Sequence, residues 1–290
     1  MVAIFGPTGV GKTDVAQALV ARLGALGEDP QTVAADALQL YAGLTVLTGA
    51  HPGDRLSGFV PITETFSAGR YAHLAHAEID ALVAAGRRPV VVGGTGLYLR
   101  AALAELDLRP PPDPEVRAAL AARLEREGAP RLHAELPPDV RARVDPADGI
   151  RVTRALELIA AGHAPPGGDQ LWTAQTRHPT VLAALTMDRE ALHERIDARV
   201  DAMVAAGAHE EVRRAEAAGA GPTARKALGF EHLLRDDVEG MKQATRRYAR
   251  RQLTWLRKLP GVVALDATHA GPDTLARAIL EACASRSGRP

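Results

Sequence analysis

The chain has 290 residues, enough for one large domain or two smaller ones, and its 46% hydrophobic content supports a substantial core. With 35 basic and 35 acidic side chains the formal net charge is zero, so attraction to a polyanion must come from local clusters and not from the total. The single cysteine, Cys283, excludes an internal disulfide and a cysteine-based zinc site, and no stretch approaches the roughly 18 consecutive apolar residues of a membrane span; a monomer in the reducing cytoplasm, with no membrane partner, is the expectation.

Val2 to Phe5 reads as a short hydrophobic strand that runs directly into Gly6-Pro7-Thr8-Gly9-Val10-Gly11-Lys12-Thr13, a full match to the phosphate-binding pattern GxxxxGK[ST]. In such a loop backbone N–H groups curl around phosphate oxygens, Lys12 adds a positive charge, and Thr13 offers a hydroxyl to Mg²⁺. Thr13 to Leu23 predicts a helix, with Val15, Leu19, Val20 and Leu23 at helical spacing and its N-terminus facing the anion. A short strand, Gln31 to Ala35, ends at Asp36. Ala68 to Gly86 predicts a helix with Tyr71, Leu74, Ile79 and Leu82 inward, and Pro89 to Val92 a buried strand that breaks at Gly93-Gly94-Thr95-Gly96 and feeds a helix from Leu97 to Leu106. This alternation predicts an α/β protein, a phosphate-loop core built on a parallel sheet covered on both faces.

Arg109-Pro110-Pro111-Pro112-Asp113-Pro114 can be neither helix interior nor central strand, and beyond it the pattern is helical without strands to about Gly162. A second breaker cluster, Ala164-Pro165-Pro166-Gly167-Gly168, marks the exit. The expected organisation is a core of residues 1–110 and 180–290 with a helical subdomain inserted at 111–179, placed to close over the site as a lid. The core resumes with a strand at Thr180 to Met187, helices at Arg189 to Ala206, Ala208 to Ala218 and Met241 to Lys258, a strand at Val262 to Leu265 and a last helix.

Open parallel sheets bind ligands at the carboxyl ends of their strands. Three loops qualify, Gly6 to Thr13, Asp36 to Gln39 and Gly93 to Tyr98, so one cleft should gather phosphate donors, a carboxylate and a hydroxyl. Asp36 can anchor Mg²⁺, accept a proton, or simply cap a helix. Gln39 can pair with a purine edge or be a polar surface residue. A phosphate-loop hydrolase usually ends the strand before Gly93 in a metal-organising acid, and two glycines there argue against ordinary ATP hydrolysis. Close backbone approach to a ligand is the expected reason for those glycines, with Thr95 left as the hydroxyl near the reacting group. Met241 to Lys258 carries many basic residues and no acidic one; on a helix Arg246, Arg247, Arg250, Arg251, Arg257 and Lys258 share a sector, with Tyr248, Ala249, Leu253, Trp255 and Leu256 opposite. Such a stripe suits a polyphosphate backbone. Arg151 and Arg154 share a helix face, Arg117 is a further candidate, and Arg225 with Lys226 supplies two cations for a pyrophosphate. The histidines show no metal-ligand spacing.

Gly-Pro-Thr-x-x-Gly-Lys-Thr from Gly6, Ala-Asp-Ala-Leu-Gln-Leu-Tyr from Ala35, Val-Gly-Gly-Thr-Gly-Leu-Tyr from Val92, Arg-Val-Thr-Arg-Ala-Leu-Glu from Arg151 and Thr-Arg-Arg-Tyr-Ala-Arg-Arg-Gln-Leu-Thr-Trp-Leu-Arg from Thr245, in that order, resemble the tRNA dimethylallyltransferase family over nearly the whole chain. The resemblance implies transfer of a dimethylallyl group from dimethylallyl diphosphate to N6 of an adenosine beside the tRNA anticodon, with Mg²⁺ as cofactor. It implies that the loop Gly6, Pro7, Thr8, Gly9, Val10, Gly11, Lys12 and Thr13 grips diphosphate, with Lys226 as a further contact, that Asp36 is the general base, and that Thr95 contacts the target nucleotide. Contacts to tRNA are implied for Asp36, Ala37, Leu38, Gln39, Arg117, Ile150, Arg151, Val152, Thr153 and Arg154, and for the cationic helix with Arg246, Arg247, Arg250 and Arg251. The chain departs from the family pattern at Thr48-Gly49-Ala50-His51-Pro52, around Ser57-Gly58-Phe59, and at Ile150, where glutamine is usual. Readings from other classes are a small-molecule phosphate-loop kinase, a nucleic-acid-binding ATPase, and a relative that prenylates free adenine nucleotides.

Overall fold

The computed structural model describes residues 1–165 and 170–287. In chain order β1 (Val2–Phe5), α1 (Lys12–Ala25), β2 (Pro30–Ala34), α2 (Thr45–Thr48), α3 (Ala68–Ala84), β3 (Arg88–Gly93) and α4 (Gly96–Leu103) are followed by α5 (Pro114–Glu127), α6 (Ala129–His133), α7 (Pro138–Arg141) and α8 (Gly149–Ala160); then come β4 (Val181–Thr186), α9 (Arg189–Ala205), α10 (Ala208–Ala217), α11 (Phe230–Leu234), α12 (Val238–Leu256), β5 (Val263–Asp266) and α13 (Pro272–Ser287). The described residues fall into two compact units, 1–106 with 171–287, and 107–165 with residue 170.

The larger unit is built on a five-stranded parallel sheet in the order β2-β3-β1-β4-β5. β1, β3 and β4 are four to six residues long with apolar runs, Val2–Phe5, Val90–Val92 and Val181–Leu185, that lack polar alternation, as strands covered on both faces require, and β1 is fully buried. Val2, Ile4, Val90, Ala183 and Leu185 pack with Leu19 and Leu23 of α1 and with Leu275 and Ile279 of α13. The order places β1 between β3 and β4, so the loops that leave these three strands open on the same edge.

Two local signals set helix starts. Asp188 accepts N–H groups from Glu190 and Ala191 at the head of α9, and Asp237 accepts the Gly240 N–H at the head of α12. The α3 helix departs from expectation at Leu74, which is 41% exposed. The buried residues Tyr71, Ala72, Ala75, Ile79 and Leu82 occupy a sector of about 100°, and Leu74 lies about 60° outside it. Residues 171–179, expected in the insert, belong to the sheet unit: the Trp172 ring sits 4.6 Å from that of Trp255, and the Arg177 N–H donates to the Leu103 carbonyl. Stacking of two large aromatic rings outweighs the breaker signal at Pro165, and Pro166, Gly167 and Gly168 lie outside the described residues.

The regular elements of the smaller unit are helices, with no strand among its described residues. Asp113 caps α5 through the N–H groups of Glu115 and Val116 with Pro114 in the first turn, so the proline run delivers the chain straight into a helix. Glu157 of α8 is buried, and its carboxylate accepts from Arg117 at 2.9 Å and from Arg154 at 3.1 Å.

Gly93 shows how tightly the strand ends are packed, since a Cβ there would overlap the Ala35 carbonyl oxygen. Gly93→Ala should therefore cost about 3 kcal/mol by forcing β2 and β3 apart and lower the thermal midpoint by several degrees. An unchanged midpoint in a melting experiment would contradict this packing.

Candidate active site

At the carboxyl edge of the sheet a cavity of about 450 Å³ opens in the larger unit, lined by Thr8, Gly9, Gly11, Lys12 and Thr13, by Asp36, Leu38 and Gln39, and by Gly93 and Gly94. All three loops singled out in the sequence meet there. Gly9 and Gly11, at φ 83° and 96°, take the left-handed conformation that turns the loop into α1. The Val10 side chain is core, so only its backbone can face a ligand.

Lys12 donates to the carbonyls of Gly6 at 3.0 Å and Pro7 at 2.9 Å. It keeps part of its surface on the cavity yet is enclosed by protein. Burial pushes its ammonium down to about 8, opposed by the Asp36 carboxylate and assisted by the Arg199 charge. The charged form therefore burdens the fold below pH about 8, and stability is recovered as pH rises from there towards the ordinary 10.5.

Asp36 lies two residues beyond the end of β2. One of its oxygens accepts the Leu38 N–H at 3.0 Å, which fixes the carboxylate as the anchor of its own turn, and the other accepts the Thr95 hydroxyl at 3.2 Å. Thr95 in turn stands 3.4 Å from the Tyr248 hydroxyl. The result is a chain of polar groups, one from each of two strand ends and one from α12. Burial, first, and the nearby Asp36 charge push the Tyr248 phenol up to about 12, so it remains a neutral hydroxyl at physiological pH. Gln39 lines the cavity with its amide N–H₂ directed at the carbonyls of Thr48 and Gly49, 3.4 and 3.3 Å away, so the altered second loop holds it. Ala37, between Asp36 and Leu38, is half-buried.

Two cationic side chains and one amide join the cavity that the sequence did not single out. Arg195 of α9 donates to the Gly9 carbonyl at 2.9 Å. Arg199, one turn on, projects into the cavity past Gly49, where any Cβ would overlap its guanidinium. Burial lowers the Arg199 pKa against the pull of Asp14 and Asp36. The signal was an i, i+4 arginine pair on the helix after β4, a fourth strand of the same edge. Gln252 of α12 is the amide, 4% exposed, accepting from Thr8 and donating to Gly94. Leu38, Leu47, Val200, Met203, Leu228 and Met241 add apolar residues to a wall that also carries Asp14, Thr48, Asp54, Thr245 and Tyr248.

Three expectations meet protein partners that the sequence did not show. Gly93, Gly94 and Gly96 are closely approached by protein: a Cβ at Gly93 would meet Ala35, at Gly94 the Gln252 amide, and at Gly96 the Trp255 ring. Arg225 is committed to Glu216 and Glu231, and exposed Lys226 is not among the residues lining the cavity, so this pair is not brought to the phosphate loop. The basic face of α12 is compensated at one end, where Lys242 pairs with Asp201 and Glu239 and Arg246 stands 3.5 Å from Asp197. Arg247, Arg250, Arg251, Arg257 and Lys258 are exposed.

In the helical unit, Ile150 is 82% exposed and Arg151 is exposed beside Asp148. Val152 is fully buried, so its side chain can serve a ligand only by fixing the helix. Thr153 returns its hydroxyl to the Gly149 carbonyl, and Arg117 and Arg154 are both held by Glu157, whose carboxyl, against the cost of burial, they keep below the ordinary range. Among the described residues no group of three His, Cys, Asp or Glu could hold a metal, and no helix is long and apolar enough to cross a membrane.

A family model described as IPP transferase matches residues 39–259. A tRNA dimethylallyltransferase of Thermobifida fusca is 40% identical over an alignment of 310 positions covering 98% of this chain and 94% of the relative. Among solved structures, the full-length tRNA isopentenylpyrophosphate transferase of Bacillus halodurans superposes with a TM-score of 0.68 at 30% identity, covering 99% of this chain and 95% of that one. A eukaryotic dimethylallyltransferase acting on tRNA gives a TM-score of 0.76 at 26% identity, covering 100% and 80%.

Lys12 supplies a direct test of the cavity as an anion site. A bound pyrophosphate should raise the Lys12 pKa from about 8 and draw a proton from buffer at pH near 9. Calorimetry in buffers of different ionisation enthalpy should show this uptake in the natural protein and lose it in Lys12→Met. Equal uptake in both would remove Lys12 from the site.

Proposed function

The chain belongs to the IPP transferase family, and we propose that it transfers a dimethylallyl group from dimethylallyl diphosphate to N6 of the adenosine beside the anticodon of tRNA, releasing diphosphate. The observation that carries this reading is one cavity holding a phosphate loop, an apolar wall and a carboxylate hydrogen-bonded to a threonine. A triphosphatase needs the first of these but has no use for a C5-sized apolar wall.

In the reaction the adenine amine attacks the allylic carbon while the carbon–oxygen bond to diphosphate breaks and its electron pair leaves with the diphosphate. Loop N–H groups, Lys12 and Arg199 meet that growing negative charge as fixed, preorganised donors and cations. Leu38, Leu47, Val200, Met203 and Leu228 receive the prenyl chain. Asp36 takes the proton from N6, and Thr95, donating to Asp36, orients the carboxylate towards the base. Adenine must leave its stack to reach this depth, and the exposed cations of α12 hold the RNA backbone meanwhile. The helical unit, with exposed Ile150 and Arg151, supplies a second tRNA contact.

The donor set around Thr13 fits Mg²⁺: hydroxyl, carboxylate and phosphate oxygens are hard ligands, and an ion that keeps its waters does not require three protein carboxylates. Thr13 and the substrate's phosphate oxygens would hold it, with Asp36 within the same cavity. When bound, it neutralises charge on the leaving diphosphate. The enzyme works as a monomer in the cytoplasm.

The decisive assay incubates the protein with Mg²⁺, labelled dimethylallyl diphosphate and either unmodified tRNA or AMP. Label should enter tRNA; label in AMP alone, or in neither, would overturn the reading. Asp36→Asn should lower kcat by about 100-fold or more while tRNA affinity stays within a few-fold, since a general base contributes to turnover and not to RNA binding. Intact turnover in this variant would remove Asp36 as the base. Neutralising Arg247 and Arg251 together should reduce the slope of log affinity for tRNA against log salt by about 2, and an unchanged slope would make that face solvated surface.

A further inference from the structure

The inner face of α12 is docked on the catalytic loops by three residues in succession. Tyr248 reaches Thr95, Gln252 reaches Thr8 and Gly94, and Trp255 lies against Gly96. At spacings of four and three residues they share one side of the helix, and the exposed Arg247, Arg250 and Arg251 lie on another. Only Gln252 bridges two loops. Its Oε1 accepts the Thr8 N–H at 2.8 Å and its Nε2 donates to the Gly94 carbonyl at 2.7 Å, and both partners are backbone groups whose roles admit only this amide orientation.

We propose that Gln252 is a positioning residue that sets the spacing between the phosphate loop and the loop after β3, and so aligns the diphosphate grip with the Asp36–Thr95 pair; its effect on turnover rests on the prenyl-transfer reading given above. The chemistry of the position accounts for the residue type. A donor and an acceptor are needed side by side at the end of a side chain of this length, which an ionised glutamate, a lysine or a methionine lacks. It also accounts for Gly94, where a Cβ would overlap the Gln252 amide and then crowd the Lys12 ammonium at 3.3 Å. Losing the amide leaves the part-buried Thr8 N–H and the buried Gly94 carbonyl without this partner and removes the tie between the two loops. An error of about 1 Å in such an alignment reduces rates by about 100-fold.

The test is Gln252→Met, which keeps length and apolar stem, with Gln252→Asn as a milder second variant whose amide is too short to span both loops. For either folded variant, kcat for prenyl transfer should fall by about tenfold or more, and pyrophosphate affinity measured by calorimetry should fall by about tenfold. The KM for tRNA should stay within twofold, because the outer face of α12 is untouched. A kcat and pyrophosphate affinity within twofold of the natural protein would overturn the proposal. So would equal losses of pyrophosphate and tRNA affinity that track a loss of folded protein. Pyrophosphate binding is read without turnover, so this arm decides the role of Gln252 even if the natural protein transfers no prenyl group to tRNA.

Discussion

The site is arranged around one costly act, the enclosure of the Lys12 ammonium. A cation taken out of water must be compensated by dipoles, by an opposite charge, or by a ligand. Two loop carbonyls and Asp36 compensate it in part, while Arg199 adds a second positive charge to the same interior. Arg195 faces Asp14 at the exposed rim, and Asp54 accepts from the Thr32 hydroxyl. Lys12 and Arg199 repel each other in the same interior, and an anion carrying more than one charge relieves that repulsion; diphosphate is such an anion.

The sheet order is what allows this concentration of charge. With β1 between β3 and β4, the phosphate loop receives Gly94 and Thr95 from one side and the α9 arginines from the other. The helix α12 then closes the arrangement with Tyr248, Gln252 and Trp255, packed so closely that the loop after β3 admits no Cβ at positions 94 and 96. Glycine there answers a demand of packing between parts of the protein. The same rod that packs on the catalytic loops with its inner side presents Arg247, Arg250 and Arg251 to solvent on its outer side.

The phosphate loop, the strand-helix alternation and Asp36 were legible because each is written in contiguous residues: a loop motif, a run of apolar residues, an acid at a strand end. Thr95 was legible as the one hydroxyl in a glycine break. Arg199 and Gln252 were not, because they reach the cavity through packing of α9 and α12 against loops far away in the chain, and each sits in a helix whose local pattern is complete without it. The same reason hid Glu157 and Asp197, which pair with Arg117, Arg154 and Arg246. Composition also misled at the edge of the insert, where the proline and glycine cluster suggested a later return to the core than the Trp172 to Trp255 contact enforces.

The central claim is that the phosphate loop grips a diphosphate leaving group and does not drive triphosphate hydrolysis. Phosphorus NMR of one reaction containing tRNA, dimethylallyl diphosphate, Mg²⁺ and ATP tests it most directly. One equivalent of inorganic diphosphate should appear for each prenylated adenosine, with the ATP resonances unchanged. Loss of the ATP γ-phosphate signal with dimethylallyl diphosphate left intact would contradict it.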